Sequence, residues 1–206
     1  MKINYAPIMA VAVCSLLLFS ISCKNKTAPD EQAPVKTDPV TAPVTPKPPS
    51  YNDLRKMALS ATRTQLGLDT TVKRTTVHGI VMDWDIGDGI ATTVAYATGD
   101  ASTYLSNGGE TIRGGAGENV TNAAKGWVKL AQKYLDKATK TDTASLPTKD
   151  MVYFYLVTNN GLYVGEERTV NFGKKSSAWL GLFVEGNKLL TELRKQETGM
   201  NSDTLR

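Results

Sequence analysis

Cysteine and histidine are almost missing from this chain: Cys14 and Cys23 are its two cysteines and His78 its one histidine. Cys14 lies in an apolar leader expected to be removed, so the part that folds downstream of Cys23 has no cysteine at all. That excludes a disulfide, a thiolate nucleophile and a Cys-ligated zinc or iron–sulfur site from the domain. Long apolar runs are missing too. The only one, Ile8 to Ile21, has about 14 residues, short of the ~20 that a membrane-crossing helix requires. No Gly-x-Ser-x-Gly elbow, no P-loop and no dinucleotide fingerprint within a βαβ unit occurs. Nor is there a strong excess of charge. Of 24 basic and 20 acidic residues, Lys2, Lys24, Lys26, Lys36 and Lys47 and Asp30, Glu31 and Asp38 precede Tyr51. The remainder carries only about +2, which argues against a nucleic-acid partner. No cofactor and no metal are expected.

The first segment, Met1 to Ser22, has Lys2 followed by that apolar run and then a polar tract starting at Lys24, the pattern of a cleaved signal peptide. The run ends in Ser20-Ile21-Ser22-Cys23. This resembles the lipobox of bacterial lipoproteins in its relaxed form, with small Ser22 before the acceptor cysteine and Ser20 where leucine is usual. The resemblance implies cleavage before Cys23 and lipidation of its thiolate, a nucleophile suited to taking up a diacylglyceryl group as a thioether. Two or three acyl chains then anchor the protein stably, where one would not. The residues after Cys23 are Lys24 and Asn25 rather than Asp, so the expected address is the outer membrane facing the periplasm.

Residues 23–50 hold seven of the nine prolines, Pro29, Pro34, Pro39, Pro43, Pro46, Pro48 and Pro49, among Thr, Ala, Val and Lys. Such a stretch builds no core. It is expected to be a disordered, extended tether reaching roughly 80 Å at ~3.1 Å per residue. The single domain is then 51–206.

Within it, Leu54, Met57, Ala58, Ala61 and Leu66 follow helical spacing behind a capping box of Ser50 and Asp53, with Gly67 as the stop. Three strands follow, Thr75 to Asp85, Ile90 to Thr98 and Ser102 to Ser106, separated by Gly87-Asp88-Gly89 and Gly99-Asp100. Ile80, Met82 and Trp84 are expected on one face, joined across the ladder by Val94 and Tyr96. The run from Val120 to Ala138 through Trp127 and Tyr134 is amphipathic and helical. Met151 to Thr158 and Leu162 to Arg168 form a hairpin around Asn159-Asn160-Gly161, and Trp179 to Leu193 make a third helix started by Ser176 or Ser177. The fold class is therefore α+β, an antiparallel sheet of about five strands packed with three helices in the order α-β-β-β-α-β-β-α. That order resembles type III secretion chaperones and related small α+β domains, in element order alone, and carries no functional residue across.

The most suggestive chemistry is the glycine-rich stretch Asn107 to Gly117, running into the middle helix. Gly108, Gly109, Gly114, Gly115 and Gly117 allow several N–H groups to converge, and with Arg113 they form a candidate anion- or ligand-binding loop. The other readings are plainer. Asp83, Asp85 and Asp88 fail the calcium-loop pattern, with Gly87 at the fifth position and Val94 at the twelfth, and read as solvated turn aspartates. His78 reads as structural or partly exposed, Glu166 and Glu167 as solvated, and Lys125, Lys129, Lys133 and Lys137 as a solvated helix stripe.

Two functional expectations follow. One is a membrane-anchored cell-envelope lipoprotein with a non-enzymatic domain that binds a protein, peptide or small ligand, and no nucleic acid. The other is a small hydrolase or anion-ligand enzyme gathering the glycine-rich loop, Arg113 and His78 in one pocket.

Overall fold

A computed structural model of the chain describes residues 47–108, 112–114 and 117–203. Cys23, the leader and most of the tether lie outside them, as do Gly109 and Gly115. Helix α1, Tyr51–Leu59, opens on the expected capping box: the Ser50 hydroxyl accepts from the Asp53 amide at 3.3 Å while the Ser50 amide donates to the Asp53 carboxylate at 3.0 Å. It stops well before Gly67. Ser60 turns its hydroxyl back onto the Lys56 carbonyl, and Thr62 and Gln65 then form a second reciprocal cap that begins a fresh turn. The helical spacing in the sequence runs across this break. Met57, one of the residues of that spacing, is 56 % exposed.

The strands are β1 (Val77–Asp85), β2 (Ile90–Tyr96), β3 (Ala101–Leu105), β4 (Ile112–Gly114), β5 (Thr139–Thr141), β6 (Met151–Thr158) and β7 (Gly161–Arg168). They form one sheet in the order β4-β3-β2-β1-β6-β7-β5, antiparallel at every neighbour. The five expected strands are its interior. The two additional ones, β4 and β5, are three-residue strips at the edges, too short to show a hydrophobic period. Gly161, at φ +94°, makes the expected tight turn between β6 and β7.

Helix α2 (Glu118–Ala131) runs on as a tighter 3-10 stretch, Gln132–Lys137. After β7 come a five-residue helix α3 (Thr169–Gly173) and α4 (Leu180–Asp203), with the Ser177 hydroxyl accepting the Trp179 amide at 2.9 Å just ahead of α4. Helices α2 and α4 cover one face of the sheet, burying Ile80, Met82, Phe154 and Leu156 against Trp127, Leu182 and Leu189. The other face packs Val81, Val94, Tyr104 and Tyr155 under α1. Val94 and Tyr96 thus lie opposite to the side expected of them. The register pairs Val81 with Val94 and Ile80 with Ala95, and a shift of one residue exchanges faces throughout a strand. Because Val77 to Asp83 are all buried, alternation along β1 does not reveal which face is which.

Candidate functional site

One end of β1 is bulged. Val77 pairs with Thr158 and Gly79 with Val157, leaving His78 as the extra residue. The bulge carries the His78 side chain beneath the segment that follows α1, where the residue is 1 % exposed and its Nε2 lies 2.9 Å from the Ala61 carbonyl oxygen. A carbonyl only accepts, so in the neutral ring Nε2 bears the hydrogen and Nδ1 is the lone-pair acceptor. Nδ1 is buried and has no hydrogen-bond partner. The Thr76 carbonyl near the ring is itself an acceptor and cannot serve a lone pair. Burial pushes the imidazole pKa down, the carbonyls of Ala61 and Thr76 oppose this, and the positive charge of Arg63 adds to the lowering.

Beside this ring is a cavity of about 350 Å³, toward the lower end of ligand-site volumes. Leu59, Val157 and Leu162 give it apolar walls, and Ser60, Thr62, Arg63, Thr70, Thr158 and Asn159 give it polar ones. Its shape is held by the β6–β7 turn: the Asn159 amide donates to the carbonyls of Val72 and Arg74, both at 3.1 Å, and its oxygen accepts the Thr76 amide at 2.7 Å. The Arg63 Nε donates to the Asp69 carbonyl, which closes the loop leading to Thr70.

A second polar centre lies at the other end of β1. Asp83, read from sequence as a solvated turn residue, is fully buried on the α1 face. The Arg55 Nε and one terminal nitrogen donate to a single Asp83 carboxylate oxygen at 2.9 and 2.7 Å, and the Thr92 hydroxyl donates to the other at 2.6 Å. Arg55 also donates to the Ala144 and Ser145 carbonyls, and the Tyr51 hydroxyl meets Thr92 at 2.8 Å. Burial pushes the Asp83 carboxyl up while Arg55 and Thr92 pull it back; every polar group there is engaged in tying α1 to the sheet. Arg55 escaped sequence reasoning. Its signal was positional: Tyr51, Leu54, Arg55 and Ala58 follow the i, i+3, i+4, i+7 stripe, with a cation in the third place.

The remaining acids do local work. Asp85 accepts from the Asp150 and Gly87 amides at 2.7 and 3.3 Å, Asp88 and Glu166 are exposed, and Glu167 accepts from Asn171 at 2.6 Å. No cluster of three His, Cys, Asp or Glu able to hold a metal occurs among the described residues. Lys125, Lys129, Lys133 and Lys137 are all exposed on α2 and its extension, as expected, and Lys137 also lies over the Tyr134 ring.

The described residues of the glycine-rich loop do not join His78. Gly108 turns at φ +80° with open space around it, Arg113 and Gly114 lie in edge strand β4 with Arg113 paired to Ser102, and Gly117 is the N-cap of α2. From β1 to β4 is three strand spacings, about 14 Å, well beyond direct or single-water reach. Two carboxylates, Glu118 and Glu192, also line the surface at the start of α2. No family model, no curated protein and no solved structure matches this chain.

Proposed function

We propose that the protein is a cell-envelope lipoprotein, anchored through lipid on Cys23 to the outer membrane, whose domain binds a small ligand without transforming it. The observation that carries the binding half is the cavity at the β1 bulge, where apolar walls meet polar groups. The groups that acid–base or nucleophilic chemistry would draw on are engaged elsewhere: Asp83 holds Arg55, His78 holds the Ala61 carbonyl, and β4 is three strands away. The anchoring half rests on the relaxed lipobox and the proline-rich stretch behind it.

Each half has its test. Cys23→Ser should move the protein from the membrane fraction to the soluble one, and full membrane retention overturns the anchor. A small-molecule extract of the envelope should raise the Tm of the full chain by mass action. Thr70→Trp, which fills the cavity from an exposed wall position, should abolish that rise, and an equal rise in both proteins overturns the cavity as the site.

A further inference from the structure

The segment between α1 and β1 is tied to the sheet only near its two ends. At one end the Ala61 carbonyl accepts from His78 Nε2. At the other, the Asn159 amide donates to the Val72 and Arg74 carbonyls and its oxygen accepts the Thr76 amide, while Gln132 meets the Thr75 carbonyl and the Val77 amide. Both ties converge on the start of β1. Between them, residues 62–71 bond to themselves. Thr62 and Gln65 cap each other, and the amides of Leu66, Gly67 and Leu68 donate to the carbonyls of Thr62, Thr64 and Arg63. Arg63 Nε donates to the Asp69 carbonyl, and the Asp69 carboxylate accepts the Thr71 amide and hydroxyl, both at 2.8 Å. Among the described residues, no hydrogen bond or ion pair joins this stretch to the rest of the protein. Its two leucines, Leu66 and Leu68, are half-buried and belong to neither core. A surface loop with neighbouring ends and its own internal bonds is an Ω-loop, a unit that holds its shape by itself.

From this we infer that residues 62–71 are a lid on the cavity, swinging as one body about Ala61 and Val72 with Asn159 as the latch. Thr62, Arg63 and Thr70 of the lid line the cavity, facing a wall of Leu59, Val157 and Leu162 supplied by α1 and the β6–β7 hairpin. The internal bonds turn with the lid, so opening breaks none of them. What opening must break are the ties at the ends, above all those of Asn159. Loop motions that admit a ligand are drawn from such weakly held units, and a few residues at the ends of elements absorb the change of angle. The inference rests on the reading of this cavity as the binding site, to which it adds a gate, but the motion is measured with no ligand present.

Relaxation dispersion of the isotope-labelled full chain follows such motion on the microsecond-to-millisecond scale. The methyls of Thr62 and Thr70 on the lid and of Leu59, Val157 and Leu162 on the wall should exchange at one common rate, because one event changes both sides. Asn159→Ala should raise the open population about tenfold. Asn159→Asp keeps an acceptor for the Thr76 amide but loses both donors, and should raise it by less; this milder change serves if the alanine chain does not fold, and urea midpoints identify the folded variants. A second measurement reads rarer opening: Val157→Cys, at a position 4 % exposed, should react with a bulky maleimide only through the open lid, and faster by the same factor when Asn159→Ala is added. Rates that differ residue by residue across 62–71 would show local fraying instead of a lid. A folded latch variant that neither exchanges more nor labels faster would show a fixed wall. Either result overturns the lid, while the envelope-extract comparison with Thr70→Trp separately decides whether the cavity binds anything.

Discussion

The two faces of the sheet are built from alternate residues of the same strands and differ in kind. On the α2–α4 face, Ile80, Met82, Phe154, Leu156 and Trp127 are within 1 % of full burial, Trp127 Nε1 donates to the Leu182 carbonyl at 2.9 Å, the buried Thr103 hydroxyl donates to that of Thr93 at 3.2 Å, and the rings of Phe154 and Trp179 stack. The α1 face buries Arg55, Asp83, Thr92 and His78 among its apolar residues and has the cavity at its end. One face is mostly apolar packing, its few buried polar groups paired across short distances. The other is a polar assembly in which Arg55, Asp83 and Thr92 bond one another and His78 Nδ1 lies buried without a hydrogen-bond partner. Alternation along a strand can thus separate an apolar face from a polar one without separating them in sequence.

The largest effect should come from the α2–α4 face. Trp127→Ala removes a fully buried ring that packs on Met82 and Gly186, and its cost should be about 4 kcal/mol, as for other large core truncations, read as a lower denaturant midpoint at unchanged slope. A loss below about 1 kcal/mol would break the comparison, since so well packed a site cannot collapse around the void without cost.

On the α1 face the effect should depend on which partner remains. Asp83→Leu strands the buried guanidinium of Arg55 and should cost about 3 kcal/mol. Replacing both, Arg55→Leu with Asp83→Leu, should cost clearly less than the sum of the single changes, because no buried charge is left alone; the coupling follows from the double-mutant cycle. Additive costs would mean that the pair is not one unit, and the two faces would then differ less than the geometry implies.

Much of this architecture was legible in the sequence because hairpin turns and helix caps are local. The Ser50–Asp53 box, Gly161 in its turn and the amphipathic run through Trp127 each announce themselves within a few residues. What escaped is non-local. The sequence places Val94 on the wrong face because β1 is buried on both sides and register is a property of two strands. Asp83 read as a turn residue because Asp-Trp-Asp-Ile-Gly-Asp-Gly has turn composition, and only Arg55, 28 residues away, explains why an acid is tolerated inside. His78 owes its buried position to a bulge that nothing in Val77-His78-Gly79 signals. The described residues of the glycine-rich loop are a turn at Gly108, an edge strand at 112–114 and the helix cap Gly117.

The smallest expected effect sharpens the contrast at His78. Burial holds its folded pKa below the ordinary value, about 6.5 in an unfolded chain. Above that pH both states carry a neutral ring, and the stability associated with burying it is fully present. As the pH falls below it, the unfolded chain takes up a proton before the folded one does, so stability drops until the pH has passed the folded value. Other groups contribute too. The carboxylates of Asp53, Asp69 and Glu167, whose pKa values are lowered, also cost stability in acid, but at lower pH, and Arg63 stays charged throughout. Subtraction isolates the imidazole: the stability difference between the wild-type chain and His78→Gln, followed by urea midpoints from pH 8 to pH 5, should shrink as the pH falls. A difference that grows instead would show an imidazolium already formed at neutral pH and held between the Ala61 and Thr76 carbonyls. Nδ1 would then be a donor rather than a lone-pair acceptor.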